Sequence, residues 1–263
     1  MTNQALQTEI QGGVATVRMN RPDVHNAFDD HLIAELITEL RRLDQAPEVR
    51  VVVLAANGKS FSAGADLNWM QRMAKYSEAE NLRDAVAMAG LMRALYGTHK
   101  PTIAQVQGAA FGGGVGLVAC CDIAVAAAEA SFSLSEVRLG LIPSVISPYV
   151  IAAIGEREAR RYFLTAERFG AEEARRIGLV HEVTTVDRLD EAVKTFADQL
   201  LKAGPNALAA AKKLIADIAR HPLDNALMEE TARRIASIRV SPEGREGLSA
   251  FLGKRPPAWT KKS

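Results

Sequence analysis

The segment QVQGAAFGGGVGLVACCDIAVAAAEASFSLSEVRLGLIP, from Gln105 to Pro143, holds three consecutive glycines, then a run of small apolar residues, then a carboxylate, Glu136, in a mostly uncharged setting. Ile103 to Val106 reads as a short buried strand and Gly108 to Gly114 as a tight loop. Val115 to Cys121 is too small and too apolar for a surface helix, which predicts a helix packed in the core. Glycines let the backbone come close to a ligand and take angles that other residues avoid. At a helix start they aim unpaired N–H groups at whatever lies in front, with the positive end of the helix dipole behind them. That suits an anion, including one that exists only in a transition state. The same glycines would serve a turn needed only for packing, and the segment alone leaves both readings open.

A second segment has the same plan. Lys59 to Asn68, KSFSAGADLN, follows the strand-like Val51-Val-Val-Leu-Ala55 and precedes a helical pattern. Two such loops could each supply one N–H to the same oxygen. The shared motifs are Asn20-Arg-Pro with Asn26-Ala, Phe61-Ser-Ala-Gly-Ala-Asp66-Leu, Gln107-Gly-Ala-Ala-Phe-Gly-Gly-Gly114, Cys121-Asp-Ile, and Ser135-Glu136 before Leu139-Gly-Leu-Ile-Pro143. In their order and spacing the chain resembles the crotonase, or enoyl-CoA hydratase/isomerase, superfamily over essentially its whole length. The resemblance implies an α/β fold, a spiral of strand-strand-helix units, with C-terminal helices that assemble homotrimers, often paired as hexamers.

The chain has 263 residues, 48% of them hydrophobic, enough for one large α/β domain or one core with an appendage. The net charge is +1 and no long basic run exists, which argues against a nucleic-acid partner. Lys254-Arg255 and Lys261-Lys262 read as solvated ends or as contacts to a phosphate-bearing ligand. The two cysteines, Cys120 and Cys121, are adjacent; they form no CxxC motif and read as small core residues in a reducing cytosol. MTNQALQTEIQGGVATVRM alternates like a strand and has no signal-peptide core, and no segment has the character of a membrane span. A soluble cytoplasmic protein is expected. The five histidines are scattered, so no metal is expected. GGGVG lacks the order of a dinucleotide fingerprint.

Leu6 to Ile10 and Val14 to Met19 predict a hairpin around Gly12-Gly13. Asp29 to Leu43 predicts an amphipathic helix, Val49 to Ala55 a buried strand, and Met70 to Tyr96 one long helix. Ile123 to Ala126, Ser131 to Leu134 and Leu179 to Val183 read as short strands, with helices at Val150 to Ile154, Glu156 to Leu164 and Ala171 to Ile177. From Asp187 the pattern is helical throughout, over Asp187 to Leu201, Asn206 to Arg220, Leu223 to Ile238 and Glu243 to Leu252. The pattern divides the chain at 186/187; the resemblance implies a core for acyl-CoA binding and catalysis, 1–186, and a helical oligomerisation region, 187–263.

By position in the family's motifs, the N–H groups of Ala65 and Gly113 would hold the thioester oxygen of an acyl-coenzyme A as an enolate; removing one such donor typically costs about 10²–10³ in rate. Glu136 has only Arg138 as a nearby cation. In a strand the two would share a face, and a plain ion pair would follow. Beside an apolar acyl pocket Glu136 would instead have a raised pKa and serve as acid or base, and it matches the family's second catalytic glutamate. Many hydratases of the family carry another glutamate three residues after the donor glycine. Here that residue is Gly116, which would also leave room for substrate, and Asp122 is a poor substitute. The resemblance places coenzyme contacts at Arg21, Val24, Ala27, Ala63, Asp66, Leu67 and Lys254, the last possibly in a neighbouring subunit. Acyl-group contacts are expected at Asn68, Trp69, Met70, Gly112 and Gly116, with Met73 close by. Ser144, Ser147 and Tyr149 could hydrogen-bond a polar acyl group or belong to an ordinary turn with a capping serine. No cofactor is expected beyond the coenzyme A of the substrate.

Three activities fit these residues. The first is a hydratase working with one protein carboxylate. Wider resemblance, in AAFGGGVGLVACCD, SEVRLGLIP and ISPYV, is to bacterial enzymes that hydrate branched glutaconyl-CoA esters, such as 3-methylglutaconyl-CoA and isohexenylglutaconyl-CoA. The substrate's own carboxylate would then partly replace the missing glutamate. The second is a double-bond isomerase, for which one base is enough. The third is a coenzyme-A-binding scaffold without catalysis.

Overall fold

The structure, a computed structural model, describes residues 4–219 and 221–260. Arg220, the expected end of one helix, and Lys261 and Lys262 lie outside the described residues. Gly12 and Gly13, both at positive φ, close the hairpin of β1 (Leu6–Gln11) and β2 (Val14–Met19). There follow α1 (Asp30–Gln45), β3 (Val51–Ala56), β4 (Ser60–Ser62), α2 (Leu67–Met73), α3 (Glu78–Gly97), β5 (Thr102–Val106), β6 (Ala109–Phe111) and α4 (Gly113–Cys120). Next come β7 (Ile123–Ala127), β8 (Ser131–Ser133), α5 (Ser147–Thr165), β9 (Phe169–Gly170), α6 (Ala171–Arg176) and β10 (Glu182–Thr184). Four helices end the chain: α7 (Leu189–Lys202), α8 (Pro205–Ile218), α9 (Asn225–Val240) and α10 (Pro242–Leu252).

The strands form two sheets, of six in the order β1-β2-β3-β5-β7-β10 and of four in the order β4-β6-β8-β9. Each of the pairs β3/β4, β5/β6 and β7/β8 gives its first strand to the large sheet and its second to the small one, then leads into helix. This is the expected spiral of strand-strand-helix units. The large sheet is parallel apart from the β1–β2 hairpin. It is covered on both faces. Val52, Leu54, Ala104 and Ala126 belong to the main core with α1 and α3, while Val51, Val53, Ile103 and Val125 pack with Leu189, Val193 and Ala197 of α7. Burial on both sides explains why VVVLAA reads as an unbroken apolar run.

Several boundaries differ from the sequence reading. Gly108 to Gly114 is not a loop throughout, because Ala109–Phe111 pairs with both β4 and β8. The long helix expected from Met70 to Tyr96 is two helices. Ser77 starts the second with a reciprocal cap: its side chain accepts from the Glu80 N–H, and the Glu80 carboxylate accepts from the Ser77 N–H at 2.8 Å. The strand expected at Leu179 to Val183 forms at Glu182–Thr184. Glu136, which on a strand would share a face with Arg138, opens a 3-10 turn at Glu136–Leu139. The helix that begins the expected C-terminal region, α7, lies on the face of the large sheet. By contrast α8 and α9 bury none of their described residues. Among the described residues no helix is long and apolar enough to cross a membrane.

The small sheet positions the site. β4, β6 and β8 run parallel, so their carboxyl ends lie side by side, and the chain leaves them at Ser62, Phe111 and Ser133. Ala65, Gly113 and Glu136 follow two or three residues later. Arg21 fastens the neighbouring helix starts. Its guanidinium reaches Asp29, which caps α1, at 2.9 Å, Asp66, which caps α2, at 3.2 Å, and the Ala27 carbonyl at 2.7 Å. Hydrogen bonds to charged groups contribute about 1.5–3 kcal/mol. We expect Arg21→Ala to lower unfolding free energy by about that amount in urea titration; an unchanged midpoint would show that the clamp adds nothing.

Candidate active site

Ala65 forms a parallel bridge with Phe28, in which Phe28 N–H donates to the Gly64 carbonyl and Asp66 N–H to the Phe28 carbonyl. That pairing turns the Ala65 N–H to the opposite side. Gly113 is the first residue of α4, so its N–H has no acceptor within the helix. Neither N–H has a hydrogen-bond partner among the described residues. Gly112 stands before Gly113 at φ 51° and ψ −116°, a conformation that excludes ordinary side chains. At Gly114 a Cβ would stand 2.8 Å from the Ser62 carbonyl oxygen, so α4 can approach the end of β4 only without one.

Glu136 lies against this helix start. Its Oε1 would be 3.0 Å from a Cβ on Gly112. Its Oε2 is buried and has no hydrogen-bond partner among the described residues. Burial pushes the Glu136 carboxyl above the ordinary carboxylate range, opposed by a hydrogen bond from its own backbone. The ion pair with Arg138 does not form. In a 3-10 turn residues three apart eclipse, so Glu136 and Leu139 share the cavity side and Arg138 projects into solvent.

The cavity here has a volume of about 580 Å³. Of the expected residues, Ala63, Ala65, Leu67, Trp69, Met70, Gly112, Gly113, Glu136 and Ser144 line it, as does Met73. Leu141 and Ile142 of the Leu139–Pro143 motif line it too, as do Ile146, which opens ISPYV, and Phe28 and Met88, which carry no local signal in the sequence. An adjoining space of about 1020 Å³ shares Trp69, Met70, Met73 and Met88 and adds Asp84, whose Oδ2 accepts the Trp69 indole N–H at 3.0 Å. Glu136 and Asp84 are the only charged residues among those lining the two spaces; no Lys, Arg or His does so.

The remaining expected residues lie elsewhere. Arg21 and Asp66 are engaged with each other and with helix caps. Val24 is exposed on a 3-10 turn, Ala27 is buried beside Phe28, and Asn68 is exposed just after the α2 cap. Tyr149 packs its ring on Tyr96, with centroids 5.2 Å apart. Ser147 donates its hydroxyl to the Ser144 carbonyl at 2.7 Å, the turn reading of that segment. Lys254 is exposed near the C-terminal end and lines neither space. Asp122 accepts from the Thr102 N–H at 2.8 Å and from Lys212 at 2.7 Å, so it is committed to structure.

Gly116 does not leave room for substrate. A Cβ there would fall 2.3 Å from Ile146 Cγ2, 2.9 Å from Ile146 Cβ and 3.2 Å from Met92 Sδ. Ile146 is 3% exposed and occupies the space into which a side chain at 116 would point. Among the described residues no three His, Cys, Asp or Glu side chains group as a metal site.

A family model described as enoyl-CoA hydratase/isomerase matches residues 9–262 of the chain. The 2,3-dehydroadipyl-CoA hydratase of Escherichia coli is 34% identical over 249 residues, 94% of this chain and 95% of that protein. The hydroxycinnamoyl-CoA hydratase-lyase of Pseudomonas fluorescens is 35% identical over 214 residues, 80% of this chain and 77% of that protein. The crystal structure of an enoyl-CoA hydratase from Shewanella pealeana superposes with a TM-score of 0.95 at 49% identity, covering 98% of this chain and 97% of that one.

Overpacking a filled core costs typically 1–3 kcal/mol. Gly116→Ala should therefore destabilise the protein by about that much in urea unfolding. A neutral result would mean that Ile146 yields freely.

Proposed function

The chain belongs to the enoyl-CoA hydratase/isomerase family, and we propose that it adds water reversibly across the α,β double bond of an acyl-CoA with Glu136 as its one acid/base. Hydratase relatives make it an enzyme of the lyase class. The observation that carries the proposal is the Glu136 carboxylate, one oxygen of which is buried without a partner, in the same cavity as two backbone N–H groups that lack partners among the described residues. Glu136 takes a proton from water as the oxygen attacks the β-carbon. The double-bond electrons move onto the thioester oxygen, held as an enolate by the N–H groups of Ala65 and Gly113. The enolate collapses, and the α-carbon takes the proton back from Glu136. Atoms and charge balance, and a single carboxylate suffices.

For the acyl group we propose a branched glutaconyl-CoA such as 3-methylglutaconyl-CoA. The E. coli relative, named for 2,3-dehydroadipyl-CoA, supports an acyl group with its own carboxylate. The lining offers no cation to pair with such a carboxylate, which would therefore share a proton with Glu136. Two carboxylates close together in a dry site do not both ionise, so the pair would retain one proton to pass on. An apolar acyl chain is the second reading, favoured by the apolar walls. A double-bond isomerase is the third, favoured by the single base. The coenzyme would lie along Ala63 and Leu67, at the rim of the cavity. Self-association through α8 to α10 is supported by exposed Ile215, Leu223, Met228 and Phe251; a monomer by sedimentation would remove that part.

Loss of the enoyl-thioester absorbance separates these readings. Fast loss with 3-methylglutaconyl-CoA alone supports the branched acid, and fast loss with crotonyl-CoA supports the apolar chain. No loss with either, but conversion of a 3-enoyl-CoA, supports the isomerase. Glu136→Gln should lower kcat by about 10²–10⁴; full activity in this variant would overturn the mechanism.

The pH dependence has a definite sign. The folded state keeps the Glu136 proton at pH values where the unfolded chain has lost it, so this group's stabilising contribution falls as pH rises from the ordinary carboxylate value of 4.5 to the raised one. Glu136→Gln should flatten that part of the Tm profile and be at least as stable as the native protein at pH 7. A Tm profile unchanged by the substitution would deny the shift.

A further inference from the structure

We infer that Ile146 sets which substituents the reacting carbons can carry, acting as the specificity-determining wall opposite the acid/base. This rests on the proposed acyl-CoA site. Gly112 caps α4 and Gly116 lies in its first turn, where the Gly116 N–H donates to the Gly112 carbonyl at 3.2 Å. The Glu136 carboxylate lies over the first glycine and the Ile146 side chain over the second. At a rise of 1.5 Å per residue, the two contacts are roughly 6 Å apart along the helix. A carbon that exchanges a proton with Glu136 therefore sits in the cavity that Ile146 helps to wall. Both residues line the same cavity.

Ile146 cannot retreat. It is 3% exposed, and its Cγ2 already fills the space next to the Gly116 backbone. A β-branched side chain also has few rotamers through which to yield. The wall is therefore stiff, and a small change in volume at 116 or 146 should be read directly by the acyl group. The two changes act with opposite sign. Truncating Ile146 opens space beside the reacting carbons, whereas a methyl on Gly116 pushes Ile146 toward them.

The experiment compares crotonyl-CoA with 3-methylcrotonyl-CoA, which differ by one β-methyl. One methylene in an apolar pocket typically changes discrimination by about 10–200-fold. Ile146→Ala should raise the kcat/KM ratio of branched to linear ester about tenfold or more, with Ile146→Val between it and the native protein. Gly116→Ala should lower the ratio, and the double variant should return part of the way. Binding of the saturated butyryl-CoA and isovaleryl-CoA by calorimetry measures the same preference without turnover. If the native protein hydrates nothing but the binding ratios shift as described, the hydration reading fails and the Ile146 assignment stands. If folded Ile146→Ala leaves the binding ratio within about twofold of native, or both single variants shift it in one direction, the assignment is overturned.

Discussion

A carboxylate kept from water without a partner costs free energy, and the arrangement around Glu136 depends on sustaining that cost. The group is half-buried against a glycine, one buried oxygen lacks a donor, and its proton is held more tightly than usual. Such a position persists only where the surroundings are rigid. Here they are the ends of three parallel strands, β4, β6 and β8, with a register shift between β4 and β6 at Ser60–Ser62. The close approach of α4 to β4, permitted by the missing side chain at Gly114, brings the helix start to the same place.

The charged motif residues divide by whether their hydrogen bonds are satisfied within the protein. Arg21, Asp66 and Asp122 all have partners and hold elements together. Glu136 has an oxygen left over. A satisfied buried charge stiffens the fold, and an unsatisfied one has capacity for a ligand or a proton. Residue type and motif membership do not make this distinction; geometry does.

The single carboxylate follows from packing as much as from composition. Gly116 and Ile146 occupy one volume between them, so a larger residue at one requires a smaller residue at the other. The cavity wall opposite Glu136 is consequently apolar, and the adjoining space continues that character through Trp69, Met70, Met73 and Met88. Asp84 is the exception, tied to the Trp69 indole across the α2–α3 junction.

Local pattern was enough for much of the architecture. The hairpin turn, the apolar run of β3, the apolar α4 helix and the helical C-terminal third are all periodicity or composition carried by neighbours in the chain. The motifs also single out Ala65, Gly113 and Glu136, which line one cavity. The break between α2 and α3 has a local signal without glycine or proline, the Ser77-x-x-Glu80 capping box, which the single-helix reading passed over. Other features had none: β6 is three residues inside a glycine-rich segment whose strand character comes from pairing. Ile146, Met88 and Phe28 join the cavity from distant parts of the chain. Above all, whether Gly116 is open or filled depends on a side chain thirty positions away. By itself the sequence determined the units and their chemistry, because those depend on neighbouring residues. Tertiary structure alone decided which charges are satisfied and which volumes are filled, because those depend on contacts between residues far apart in the chain.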